Sequence, residues 1–413
     1  MEAHLADFIR NTAAGHEAEE ILRRCVHCGF CNATCPTYQL LGDELDGPRG
    51  RIYLIKQVLE GVVPTRKTQL HLDRCLSCRA CETTCPSGVQ FNRLLDIGRD
   101  VVDGMVPRRR AETFVRGTLK ALVPRSTLFG VAMKLGQSVR LMLPSVLRAK
   151  VPPQSDTGPV PQRSHARKLI ALAGCVQPSM YPNINGATRR VLDRLDIEMI
   201  EPAGAGCCGA VRLHLGDTEA ARDDARRNID AWWPLLETTA EGLVMTASGC
   251  GSHVLEYAWL LQDDPDYAVK AARVVLATRD ISEVIAAEAA GLKALLQGCA
   301  PLPEEERLLA FHSPCSLQHG LRIRGTVESL LTASGYALTA VADAHLCCGS
   351  AGTFSVLQPA LASRMLDNKI EALTAGAPAA IASANVGCIA HLQGATTLPV
   401  SHWIEVFDER LSS

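Results

Sequence analysis

The sequence predicts a chain of mixed α+β and α/β class: a small helical domain at the N-terminus, then two duplicated α/β modules. Three observations predict it. Two four-cysteine runs lie between Cys25 and Cys85. Short apolar runs alternate with helix-like stretches from residue 169 onward. A pattern of Cys, then Cys-Cys-Gly, then Cys occurs twice with the same opening gap.

At 413 residues the chain is too long for one ordinary core, so two or three domains are expected. A net charge of −2 and an aromatic content of 4% give neither the field nor the stacking surface that nucleic-acid binding needs. The N-terminal MEAHLADFIRNTAAGHEAEE carries acidic residues and no apolar core, so it does not read as a signal peptide. No uninterrupted apolar run reaches the ~18 residues of a membrane-spanning helix. Together these imply a cytoplasmic setting, where 17 cysteines point to metal and not to disulfides.

The first run is Cys25-x-x-Cys28-x-x-Cys31-x-x-x-Cys35-Pro36, and the second is Cys75-x-x-Cys78-x-x-Cys81-x-x-x-Cys85-Pro86. Both fit the bacterial ferredoxin pattern for a pair of [4Fe–4S] clusters. Three thiolates two residues apart wrap one face of a cubane; the fourth, followed by Pro, leaves in an extended direction and reaches the other cluster. The expected ligand sets are Cys25, Cys28, Cys31 and Cys85 for one cluster, and Cys75, Cys78, Cys81 and Cys35 for the other. Zinc prefers two separated pairs closed into one tetrahedron and fits this pattern poorly. Val26, Phe30, Tyr38, Leu76 and Val89 are expected to supply dry packing, and His27 to serve the loop or tune potential. This domain is assigned to residues 1–104.

Residues 105–150 contain ten Lys/Arg and one acidic residue, Glu112, with apolar residues interleaved. They read as amphipathic helices broken near Pro124 and Pro144. Residues 151–165 are Pro-rich and polar, a linker. Beyond it, apolar runs at Leu169–Ala173, Ile197–Ile200, Leu243–Ala247, Leu308–His312 and Ala379–Ser383 predict strands of a mainly parallel sheet. Helical patterns at Gly216–Ala231 and Thr326–Ala333 lie between them.

The duplication is quantitative. Cys175 is followed after 31 residues by Cys207-Cys208-Gly209, and after 41 more by Cys250. Cys315 is followed after 31 residues by Cys347-Cys348-Gly349, and after 39 more by Cys388. His253 and His391 each stand three residues beyond the last cysteine, as weaker candidates for ligation, proton donation or packing. The modules are placed at 166–300 and 301–413. Adjacent cysteines do not form an unstrained disulfide with each other, but both can face a metal, with Gly allowing close approach. Eight sulfurs suffice for one further cluster, in one copy or shared; a structural or dithiol role is the alternative. Gly204-x-Gly206-x-x-Gly209 matches a dinucleotide fingerprint, but the second copy has Ala344 and Leu346 there and keeps only Cys-Cys-Gly. His312, His319, His345 and Cys299 are taken as structural, and no residue of this chain is assigned a catalytic role.

The stretches RCVHCGFCNATCPTYQLLGDELDGPRGRIYLIKQ and DRCLSCRACETTCPSGVQFNRLLDIGR, followed by tandem Cys-Cys-Gly modules, resemble the glycolate oxidase iron–sulfur subunit family along nearly the whole chain. Iron–sulfur subunits of lactate utilisation, anaerobic glycerol-3-phosphate dehydrogenase and heterodisulfide reductase share the modules and supply the alternative functions, the last as a catalytic subunit. Where some relatives end a module in Cys-x-x-Cys, this chain has Cys-x-x-His, which departs from a five-thiolate cluster. The resemblance implies a complex with an FAD-binding subunit that oxidises glycolate to glyoxylate, and with a second flavoprotein-like subunit. It implies electron transfer from FAD through this chain towards quinone, peripherally at the inner face of the plasma membrane. The basic segment would then face an acidic partner or anionic headgroups.

Overall fold

The computed structural model describes residues 1–412, leaving aside the side chains of Ser145 and Val146. Ser413, the last residue of the second module as read from sequence, lies outside the described residues. The chain forms two compact units. One comprises Met1–Thr118 with the short segments Leu213–Gly216 and His345–Lys369; the other holds the remainder.

The N-terminal unit is helical. Its core is made by the helices Ala13–Arg24, Pro48–Leu59, Arg66–Asp73 and Phe91–Met105. Their starts are written locally. Thr12 accepts a hydrogen bond from the Gly15 amide, Pro48 stands in the first turn, and Thr65 and Thr68 cap each other reciprocally. Leu94, Leu95, Gly98 and Val102 recur at helical spacing and face Ile21, Leu22, Ile55, Leu59 and Leu72. Gly98 is required here: a Cβ at this position would lie 2.6 Å from the Ile55 side chain.

The second unit contains two four-stranded parallel sheets of identical topology. In the first, β1 (Arg167–Ala171), β2 (Ile197–Ile200), β3 (Gly242–Met245) and β4 (Thr278–Asp280) lie in the order β2-β1-β3-β4. In the second, β5 (Leu308–His312), β6 (Ala337–Leu338), β7 (Ala380–Ser383) and β8 (Val400–His402) lie in the order β6-β5-β7-β8. The central strands are buried on both faces, which is why they read as continuous apolar runs. The two sheets meet through the Ser248 amide, which donates to the Ala384 carbonyl at 3.1 Å, and the Ser248 and Ser316 hydroxyls, 2.8 Å apart. In each sheet the chain passes from the first strand to one side and then to the other. Such a switch point opens a crevice at the carboxyl ends of the strands.

Asp280 ends β4 and caps the helix Ile281–Ala287, accepting from the Ser282 amide at 2.9 Å. Burial pushes its carboxyl up to about 6. A carboxyl raised above its unfolded value near 3.9 penalises the fold above pH 6, and the penalty disappears as pH falls towards 4. Asp280→Asn keeps the accepting oxygen and removes the charge. It is expected to stabilise the chain by about 2–3 kcal/mol at pH 7.5 and by little at pH 4.5. Unfolding curves of both proteins at the two pH values check this; an unchanged difference between them contradicts it.

Candidate iron–sulfur centres

Each ferredoxin-type loop starts where a core helix stops. Cys25 follows Ala13–Arg24, and Cys75 follows Arg66–Asp73 by one residue. The two loops then use the same backbone trick at the same places. His27 and Ser77, just before the middle cysteine, have φ of +57° and +53°; Gly29 and Arg79, just after it, have +83° and +60°. Left-handed residues on both sides of Cys28 and of Cys78 curl each loop around a cavity. Three of the four positions carry a Cβ, and each such residue costs ~1–2 kcal/mol. Gly29 has a steric reason as well, since a Cβ there would lie 2.5 Å from the Arg49 guanidinium.

One cavity is lined by Cys25, Cys28, Cys31 and Cys85, with Ile52, Val89 and Phe91 among its apolar walls. The neighbouring one is lined by Cys35, Cys75, Cys78 and Cys81, with Leu76 and Arg51. Cys81 also borders the first. The electrostatics divide the sulfurs in the same way. Burial and then the charges of Cys25, Cys85 and Cys28 push the Cys31 thiol up to about 11. Burial and then Cys78, Cys75 and Cys35 push Cys81 well above its ordinary value. Four sulfurs crowded around each apolar cavity, repelling one another as thiolates, fit a cationic iron core and poorly fit any neutral ligand.

Two expectations of the sequence need correction. Val26 and Phe30 border the first cavity but are 68% and 61% exposed, so they do not seal it. Their loop curls with the sulfurs inward, which turns the intervening side chains outward; Leu76 and Val89 do lie inside and Tyr38 is partly buried. And Cys35 is not followed by extended chain: Pro36 opens the helix Pro36–Leu41, where a missing N–H costs nothing. The structure also holds a feature that spacing gave no signal for. Arg51, Asp46, His71 and Thr37 form a polar group beside Cys35.

The Cys-Cys-Gly motif of the first module sits at the switch point of its sheet. Cys175 follows β1, Cys207 and Cys208 follow β2, and Cys250 lies in the helix Ser248–Val254 after β3. The four sulfurs are in contact. Cys175 and Cys208 donate to Cys207 and so bring its thiol down; the Gly209 amide, 3.4 Å away, helps. Cys175 and Cys208 are pushed up in return, first by that pairing and then by burial. The backbone is held from below. Asn228 donates to the Cys207 carbonyl at 2.8 Å and Tyr257 to the Cys208 carbonyl at 2.7 Å, and Tyr257 stacks on buried Trp232. His253 packs edge-on against Tyr257 with ring centroids 5.9 Å apart, and its Nε2 lies close to Gly209. Four adjoining sulfurs, three of them buried, are a donor set for a thiophilic metal.

In the second module Cys347 and Cys348 are buried, and the Gly349 amide donates to Cys347 at 3.4 Å, as Gly209 does to Cys207. Cys388 is buried and receives Asn385 Nδ2 at 3.5 Å. Cys315 precedes the turn Ser316–Gly320, and His391 lies in the helix Val386–Gln393. His312 pairs with the Ser383 hydroxyl at 2.9 Å, and Cys299 stands at the end of a helix with its thiol on the Leu295 carbonyl.

Comparison with known families agrees with this construction. A 4Fe-4S dicluster domain matches residues 21–89, and a cysteine-rich domain matches residues 170–254 and again 309–393. Fold and sulfur sets together define an iron–sulfur electron-transfer protein. The chain is 50% identical over its whole length to the glycolate oxidase iron-sulfur subunit of Escherichia coli K12, of which it covers 99%. It is 29% identical to the probable glycolate oxidase iron-sulfur subunit of Bacillus subtilis 168, across 93% of this chain and 91% of that one. Lactate utilization protein A of Bacillus pumilus is matched along its entire length at 29% identity by 59% of this chain. The chain belongs to the glycolate oxidase iron-sulfur subunit family.

Proposed function

We propose that this chain is the electron-transfer subunit of a complex that oxidises glycolate to glyoxylate, with FAD on a partner subunit and quinone as acceptor. What carries the reading is the division of eight N-terminal sulfurs into two sets of four, within a full-length match to a glycolate oxidase subunit. Cys25, Cys28, Cys31 and Cys85 would hold one [4Fe–4S] centre, and Cys35, Cys75, Cys78 and Cys81 the other. When bound, each centre supplies one-electron redox chemistry. Oxidation of glycolate to glyoxylate releases two electrons and two protons, so the pair matches the electron count of one turnover. The chain's own part is to position and to insulate. Ile52, Val89, Phe91 and Leu76 keep water from the sulfurs, while Cys28, the most exposed of the eight ligands, offers an edge to the donor. Cys175, Cys207, Cys208 and Cys250 would hold a further centre, with Cys315, Cys347, Cys348 and Cys388 as its duplicate and His253 and His391 beside them.

Anaerobic purification of the native complex tests this. Flavoprotein subunits should travel with the chain, and glycolate should bleach the iron–sulfur absorption more rapidly than lactate or glycerol 3-phosphate does. Bleaching by lactate alone would move the reading to a lactate-oxidising complex.

The same reading places the chain on a membrane surface. Among the described residues no helix is long and apolar enough to cross a bilayer. The helix Ser126–Ser138 instead packs through Met133 and Gln137, the latter donating to the Ser179 carbonyl, and turns Leu128, Val131 and Leu135 outward. Leu141 and Met142 follow, each 85% exposed. From residue 113 to 155 there are seven Lys/Arg and no acidic residue. An exposed apolar stripe in a segment free of acidic residues suits anionic headgroups. Leu135→Glu with Leu141→Glu should lower co-flotation with anionic vesicles by about tenfold or more and leave the cysteine sites intact. Undiminished flotation would remove the segment from this role.

A further inference from the structure

Arg51, in the helix Pro48–Leu59, is 1% exposed. Its Nε donates to the His71 carbonyl at 2.8 Å and its Nη2 to the Thr37 hydroxyl at 3.1 Å; its Nη1 lies 4.0 Å from Cys35 Sγ. The Thr37 oxygen is itself 3.2 Å from that sulfur and donates to the Asp46 carbonyl at 2.7 Å. Asp46 faces Arg51 at 3.5 Å, but it also accepts from Arg74 at 2.8 Å and pairs with His71 Nδ1 at 3.1 Å. One buried carboxylate therefore serves two guanidiniums. Exposed Asp43 also lies within 4.8 Å of Asp46 and His71, so the group's formal charges balance when His71 is neutral; the buried member that approaches Cys35 is the Arg51 guanidinium.

The first cavity is bordered differently. Arg49 is held bidentately by Glu44 at 2.6 and 3.1 Å, and both side chains are more than a third exposed. That pair is neutral and screened by water, and the N-terminal ammonium, which donates to the Cys25 carbonyl at 2.8 Å, is only partly buried. A buried charge network is a poor means of stabilising a core, and apolar residues would do as well or better. Its place beside one ligand of one centre asks for another explanation.

We infer that Arg51 is a potential-setting residue: its buried positive charge beside Cys35 raises the reduction potential of the centre held by Cys35, Cys75, Cys78 and Cys81 above that of its neighbour. Reduction adds negative charge at the sulfurs and iron. A guanidinium in a low-dielectric surround favours that state far more than a solvated one does. An electron shared by the pair then rests on the more enclosed centre, away from exposed Cys28. This rests on the ligand assignment made above.

The test is an EPR-monitored redox titration of the full-length chain purified without oxygen. Cys78→Ser identifies the signal of the second centre and Cys28→Ser that of the first. Arg51→Gln should lower the reduction equilibrium of the second centre at least tenfold, a shift of about 59 mV for one electron. The first centre should stay put. Arg51→Lys, which keeps the charge, should shift it by less than half as much. Asp46→Asn, which removes the counter-charge and keeps an acceptor for Arg74, should move the same centre the opposite way. If Arg51→Gln fails to retain iron, Arg51→Lys and Asp46→Asn still decide by the sign of their shifts. Shifts of the same sign from Arg51→Gln and Asp46→Asn, or none from either, overturn the proposal. A shift confined to the signal that Cys28→Ser alters overturns the ligand assignment instead.

Discussion

Replacing Cys85 with alanine is expected to abolish the centre built on Cys25, Cys28 and Cys31 and to spare the one that begins at Cys75. The second run's own last cysteine is turned away from its run. It lines the first cavity with Val89 and Phe91, and its charge bears on Cys25 and Cys31. With it gone, three thiolates would face the cavity without the fourth that closes a cubane. About half of the iron of the pair should be lost, and the N-terminal unit should unfold more readily, since metal binding is also folding energy. Cys35→Ala should do the converse. Combinations make the assignment sharper. Cys28→Ala with Cys85→Ala should be no worse than either alone, because both strike one site; Cys28→Ala with Cys35→Ala should empty both. Iron and sulfide analysis with EPR reads these outcomes. If each run closed its own site, the pattern would be reversed.

The second large effect is expected at Gly209. Its φ is +97°, and a Cβ there would sit 3.0 Å from the Ala221 carbonyl and 3.3 Å from His253 Nε2. Alanine would pay for the left-handed backbone and push on backbone that cannot yield. Together these cost about 2–4 kcal/mol. The motif would open, and the Gly209 amide would leave Cys207. Gly349→Ala should behave in the same way, since its Cβ would lie 2.7 Å from the Ala362 carbonyl at φ +89°. Calorimetric unfolding of the variants measures the loss. A loss below about 0.5 kcal/mol, the ordinary scatter of surface substitutions, would mean that the turn is not under this constraint.

Much of this was legible in the sequence because cysteine ligation leaves a local record. Spacing two, two and three gave both loops. The repeat of Cys-Cys-Gly gave the duplication, which appears as two sheets of one topology. The strands Ile197–Ile200 and Leu308–His312 and the helix Thr326–Ala333 were readable to the residue, since the first alternates, the second is a buried run and the third keeps a clean helical period. The strands Thr278–Asp280, Ala337–Leu338 and Val400–His402 were not: they are two or three residues long and lie at sheet edges. Nor was the outward turn of Val26 and Phe30, because whether an apolar loop residue faces in depends on left-handed neighbours such as His27. Arg51 was the least visible. A buried arginine looks like a surface one until His71 and Thr37, distant in sequence, are seen around it together with nearby Asp46.

The most direct test of the account is a crystal of the anaerobically purified protein measured at the iron absorption edge. Two four-iron peaks are expected in the N-terminal unit, one enclosed by Cys25, Cys28, Cys31 and Cys85 and the other by Cys35, Cys75, Cys78 and Cys81. A single peak, a zinc signal, or Cys85 bound in the same centre as Cys75, Cys78 and Cys81 would contradict it.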